Sequence, residues 1–456
     1  MKKLNNKFIY ISSVCVVALS VAITCYMARL LRPAADDYCY GSISAEFGFI
    51  GGIGYWFDTW SGFLLSVFTG SLFVGIPLAL FPYGLASAIP FISAALGMGI
   101  IVNLIDQNIA ANSREKLTTV IFLAFGWWTY LWATPAINHY LHYSVLLANG
   151  LTFWQTLNGQ YVIQLQILIA AIVITPRVFK NSPLLLMTSG LIIGLVSGTA
   201  GTTLSLSLLL IGLVLIAAAR FFKSEALCVT GNFWMPLCIG LLVGVIACHI
   251  FVPGSLIRMR ALNIQVEMTW TSLTSMVKMS VFDGTLKWMK SYFNYGAVLF
   301  GFLTYGFYFL RGFSSYALSS KNILSLSLFF SIFAYLQCLV NRLAQFFSYE
   351  AYWHFVSPTI CIFISIYFFG IWGALVTRSV SLINPFKRLL IIFYVLLLLL
   401  SLYVNIFMWS KIQNRYDLWI SGPAPAEGVS DIEDRNGWQM QCWNKLMDLR
   451  GESNSR

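Results

Sequence analysis

Apolar runs dominate the hydropathy pattern of this chain, and the segments between them alternate in kind. Runs of about 20 apolar residues are what a helix needs to cross a bilayer's hydrocarbon. They lie near 8–30, 84–105, 117–135, 158–176, 183–200, 203–220, 231–252, 294–310, 323–341, 353–376 and 388–409, which predicts about eleven spanning helices. The stretch 61–83, "SGFLLSVFTGSLFVGIPLALFPY", is interrupted by Gly and Pro and reads as an interfacial or re-entrant segment leading into the second span. The first run is too long for a signal-peptide core and has no small-residue cleavage site after it, so it reads as a retained helix.

The connecting segments set an orientation. With the N-terminus inside, the inner segments are short and basic: Lys2, Lys3 and Lys7, then Arg114 with Lys116, Arg177 with Lys180, Arg220 with Lys223, Arg311 with Lys321, and Arg378 with Lys387 and Arg388. Their acids are Asp106, Glu115 and Glu225. That regularity is the positive-inside pattern. The outer segments 31–83, 136–157, 253–293 and 342–352 and the tail 410–456 are longer, and they hold nearly all the acids and many of the Trp and Tyr.

Composition sharpens this picture. The chain has 456 residues, 58% of them hydrophobic, with a mean hydropathy of +0.76. Charged residues make up 10%, against about 25% in soluble domains. The expectation is an all-α polytopic integral membrane protein: a transmembrane domain over 1–409 and an extracytoplasmic tail over 410–456. The formal net charge of +11 belongs to cytoplasmic loops rather than to nucleic-acid binding. Charged side chains within the spans are scarce, which disfavours an ion-coupled transporter. Most of the nine cysteines lie in apolar runs. Cys39 and Cys442 fall in polar segments; on an oxidising face they could pair, and the simpler reading is two free thiols.

Candidate chemistry concentrates on the outer face. In "RPAADDYCYGS", Asp36 and Asp37 stand next to each other where the first span ends. A carboxylate there can act as general base toward a hydroxyl; equally, Asp37 can cap the helix expected around 40–50. Trp60, in "GYWFDTWSGF", suits either an interfacial anchor or a stacking surface for a sugar ring. Arg258 and Arg260 follow the Pro253-Gly254 helix stop, where a guanidinium meets lipid phosphate. Arg342 is a second phosphate candidate, with Glu350 as ligand or as its ion-pair partner and His354 nearby. His139 and His142 would share a helix face without making a metal site. The 437–449 stretch reads as an amphipathic helix able to pack back on the outer loops.

These motifs resemble those of GT-C-type glycosyltransferases, polytopic enzymes that take a sugar from a polyprenyl-phosphate carrier. The closer likeness is to bacterial and phage-borne O-antigen glucosyltransferases of serotype conversion. Ala35–Cys39 resembles their first-loop acid motif, Trp60-Ser61-Gly62-Phe63 a "WSGR"-like motif, Pro253-Gly254-Ser255 through Arg258 a "PGN..R"-like motif, and Arg415-Tyr416-Asp417 an arginine-aromatic-acid stretch. Phe63 stands where the family pattern has arginine, and Ser255 where it has asparagine. The resemblance implies a GT-C-like fold in the bacterial inner membrane, with a periplasmic C-terminus. It implies Asp36 or Asp37 as the base, with Arg258, Arg260, Arg342, Arg415, Trp60, Glu350 and His354 contacting substrate. The donor would be a polyprenyl-phosphate-linked sugar and the acceptor a lipid-linked or polymeric glycan, with a companion flippase and donor synthase. No cofactor is required by this reading; a divalent metal at the acid pair stays open. The competing expectations are a transporter or flippase, or a non-catalytic partner in envelope polysaccharide assembly.

Overall fold

A computed structural model of the chain describes residues 2–33, 36–59, 63–105, 155–201, most of 204–216, 225–250, 384–421 and 438–451, with isolated positions between 257 and 278. These residues are helical almost throughout, with no strand among them. The helices are α1 (Lys2–Ala28), α2 (Asp37–Thr59), α3 (Leu64–Leu80), α4 (Tyr83–Ile105), α5 (155–178), α6 (Pro183–Gly198), α7 (Glu225–Val245), α8 (Asn384–Ser421) and α9 (Trp438–Leu449). Every apolar run that falls among the described residues is helical. The runs at 117–135, 294–310, 323–341 and 353–376 lie outside them. One described helix, Asn158–Val178, is long and apolar enough to cross a membrane, by length and composition alone.

Local chemistry shapes α2 and α3. In a straight helix Tyr40 and Trp56 would stand about 24 Å apart along the axis, yet their rings stack with centroids 4.6 Å apart. The chain doubles back at Gly48, whose φ of 69° lies in the left-handed region that favours glycine. Phe47 and Tyr55 stack across the same bend. In α3 the glycines and proline do not break the helix, as the sequence pattern suggested, but widen it. Ser71–Gly75 forms a π turn, closed by the Ile76 N–H donating to the Ser71 carbonyl. Pro77 follows at once. A proline lacks a donor and crowds the carbonyl four residues back; the wide turn accommodates both defects in a continuous helix.

Two cores result. The larger joins α1, α4, α5, α6, α7 and α8 through residues such as Phe91, Leu165, Phe233 and Met408. The smaller lies under α9 and joins α2, α3 and the start of α4 through Tyr38, Tyr40, Trp56, Leu78, Trp443 and Leu446. Within the larger, α6 and α7 meet backbone to backbone. A Cβ at Gly190 would sit 2.5 Å from the Phe233 carbonyl, and one at Gly198 would sit 2.6 Å from that of Leu241. Gly240 and Gly244 return the contact against Leu195 and Gly198. Small residues every fourth position permit this approach. The outer faces of both helices carry exposed Leu184, Leu191, Ile192, Ile239, Leu242 and Val243. Helix α8 continues past residue 409 to Ser421, so "NRYDLW" at 414–419 is helical.

The glycine seam gives a direct test. Gly194→Leu should cost about 1–3 kcal/mol through overpacking and lower the thermal unfolding midpoint in detergent. Gly54→Ala, where an added Cβ meets nothing within 4 Å, should not.

Candidate functional site

The acid pair sits at the first turn of α2. The Asp36 carbonyl accepts the Tyr40 N–H at 3.0 Å, which makes Asp36 the residue from which the helix starts. The Tyr38 hydroxyl donates back to the Pro33 carbonyl at 2.7 Å and fixes how the chain enters. Adjacent residues at a helix start point differently, and the two carboxyls differ accordingly. Asp37 is fully buried and Asp36 is partly exposed.

Asp37 points at the beginning of α5. Its Oδ1 accepts the Thr156 N–H and hydroxyl, each at 2.6 Å, and its Oδ2 accepts the Gln155 N–H at 3.1 Å. A helix leaves its first N–H groups without internal partners and carries partial positive charge at that end. A carboxylate from a neighbouring helix answers both needs. The same donors make burial of the charge tolerable, since ionised acceptors form strong hydrogen bonds where water is excluded. Asp37 thus caps a helix, though not the local one around 40–50 that the sequence suggested: it reaches across to α5.

Beyond this cap runs a buried polar seam in "QTLNGQYVIQLQ", 155–166. The Asn158 side-chain amide donates to Gln155 Oε1 at 3.1 Å. Ser66 of α3 donates to Gln164 Oε1 at 3.0 Å. Gln160 donates to the hydroxyl of Tyr40, whose ring stacks on Trp56 and lies against Gly70. Gln166 donates to the Ala94 carbonyl at 2.6 Å and ties α5 to α4. Residues 158–163 form a π turn that packs on the one in α3; a Cβ at Gly159 would lie 3.1 Å from Val74. Gln164 Nε2 and Ser71 Oγ are buried with no hydrogen-bond partner among the described residues. Buried polar atoms of that kind call for a reason. Sequence reasoning passed over this seam because the region scores as apolar on average. Its amides at 155, 158, 160, 164 and 166 were the available signal.

Helix α9 closes the site from outside. Cys442 forms a disulfide with Cys39, where free thiols were the simpler expectation from sequence. The same face of α9 buries Trp443, Leu446 and Met447, and Trp443 meets Tyr38 edge-on with centroids 4.7 Å apart. Leu446 fits against Gly41. Lys445 pairs with Glu46. Just beyond the helix, Arg450 donates to the Leu78 and Phe81 carbonyls at 2.6 and 2.9 Å and lies over the Tyr83 ring. Those carbonyls are the unpaired end of α3, where a cation is favoured.

Of the other sequence candidates, Trp60, Arg258, Arg260, Arg342, Glu350 and His354 lie outside the described residues, as do His139 and His142. Arg415 lies on α8; its neighbour Tyr416 receives the guanidinium of Arg32, 4.4 Å from the ring centroid. Among the described residues, no group of three or more metal-ligating side chains occurs.

The chain matches no protein-family model, no curated protein and no solved structure.

The two aspartates should separate in stability measurements. Asp37→Asn should destabilise the protein by about 1–3 kcal/mol, because it weakens three buried hydrogen bonds. Asp36→Asn should cost less than that, because the Asp36 carboxyl is only partly buried. Equal unfolding midpoints for the two variants would remove the capping role.

Proposed function

We propose that the protein is a polytopic membrane glycosyltransferase of GT-C-like architecture. It would transfer a sugar, glucose by the family likeness, from a polyprenyl-phosphate carrier to a cell-surface glycan such as O-antigen. The observation that carries the reading is the unequal acid pair. Asp37 is consumed in positioning the start of α2 against α5, and it thereby holds Asp36 at the edge of the buried site, where a substrate hydroxyl can approach. In this mechanism Asp36 takes the proton from the acceptor hydroxyl as it attacks the anomeric carbon. The carrier phosphate leaves, and a guanidinium stabilises its developing charge; Arg258 and Arg342 are the sequence candidates for that role. Asp37 is a positioning residue.

The Cys39–Cys442 bond supports the proposed orientation, because disulfides persist in oxidising compartments. The acid pair and the tail would then face the periplasm, and the N-terminus the cytoplasm. The bacterial inner membrane is the proposed location. The exposed apolar faces of α6, α7 and α8 support a membrane setting.

A second reading, a transporter or flippase for a lipid-linked sugar, draws on the seam's amides, buried Gln164 and Gln166 and half-buried Gln160, since polar residues inside apolar helices mark substrate paths. The two readings part in one experiment. Wild type, Asp36→Asn and Gln164→Leu are expressed at matched levels in a host lacking the gene, and the surface-glycan repeat unit is weighed by mass spectrometry. A transferase predicts the gain of one hexose with wild type and a loss of about 100-fold or more in Asp36→Asn. Product retained in Asp36→Asn but lost in Gln164→Leu would favour transport instead.

A further inference from the structure

We propose that the Cys39–Cys442 bond is an oxidative assembly checkpoint: α9 docks, and the start of α2 is held in place for Asp37 to cap α5, once the two thiols have been joined. The inference concerns assembly and does not rest on the glycosyltransferase reading.

Position supplies the first argument. Cys39 follows Asp37 by two residues in the same helical turn, so whatever anchors Cys39 anchors the carboxylate that holds Gln155 and Thr156. The second is that α9 cannot stand alone. Helices of fewer than about 12–15 residues are marginal in water, and α9 has 12. Its apolar face, Trp443, Leu446 and Met447, rests on a surface built jointly by α2, α3 and α4. Its Lys445–Glu46 ion pair is half-exposed, 47% and 32%, and so contributes little. A covalent tether converts docking into an intramolecular event of high effective concentration.

Burial gives the device its direction. Cys39 is 0% and Cys442 8% exposed. Exchange requires a thiolate to reach a sulfur, so the completed bond is shielded while α9 stays docked. It acts at assembly and is not a reversible switch. In the forming step, the two cysteine thiols give up two protons and two electrons and an S–S bond joins them. A disulfide-donating oxidoreductase of the oxidising compartment accepts these and leaves as its dithiol.

The test uses the full chain in detergent micelles, prepared from hosts with and without the periplasmic disulfide-forming enzyme. Mass-tagged maleimide reports free thiols, and hydrogen–deuterium exchange reports the Gln155 and Thr156 amides and the 438–449 segment. The expected result is a bonded chain, protected at both places, that resists dithiothreitol until it is unfolded. The reduced chain and Cys442→Ser should exchange about tenfold faster or more at both, while Cys15→Ser, at an exposed free cysteine on α1, matches wild type. Equal protection in the bonded and reduced wild-type chains would overturn the proposal. So would prompt reduction of the native bond, or its absence in the oxidising host.

Discussion

A single buried carboxylate organises the described structure. Asp37 leaves α2 and ends on the first two amides of α5, so the beginnings of two helices far apart in sequence define one point. That contact fixes α5 relative to α2, and α3 is clamped between them by Tyr40, Gly70 and Gln160. The aromatic stack of Tyr40 on Trp56 and the bend at Gly48 then follow from the need to keep Tyr40 over Gly70. A buried charge is tolerated only while its oxygens are met by donors. The arrangement is therefore stiff.

Close packing does the rest, and it uses absence of side chain as much as presence. Glycines at 190, 194 and 198 let α6 lie on the backbone of α7, Gly75 of α3 lies against Ser44 and the Tyr40 carbonyl of α2, and Gly41 makes room for the Leu78 and Leu446 side chains. With so little side chain in the seam, dispersion between backbones replaces interlocking of large residues. The paired π turns in α3 and α5 belong to the same economy of space. Each widens its helix where the other approaches.

Much of this was legible in the sequence. Apolar run length located α1, α4, α5, α6, α7 and α8, and charge scarcity singled out Asp36 and Asp37. The amphipathic pattern around Cys442 foretold α9. What escaped has physical causes. The partners of Asp37 lie more than a hundred positions away, and nothing local encodes them. The amides of 155–166 were diluted by Tyr161, Val162, Ile163 and Leu165 in any average over the run. Glycine and proline in 61–83 read as breaks because their cost depends on whether the preceding turn can widen, which only packing decides. The fate of Cys39 likewise depended on which face Cys442 reached.

That covalent link carries a counting rule. If the chain crosses a bilayer as proposed, residues 39 and 442 must emerge on the same side, so the number of crossings between them is even. The 403-residue separation leaves the parity untouched by any lengthening or shortening of loops. Of the roughly eleven expected crossings, the first precedes Cys39, and the remainder already satisfies the rule. Helix α3, about 26 Å long by its rise, therefore cannot be added as one more independent crossing. It must return to the face it entered from, or else one of the other apolar runs must fail to cross.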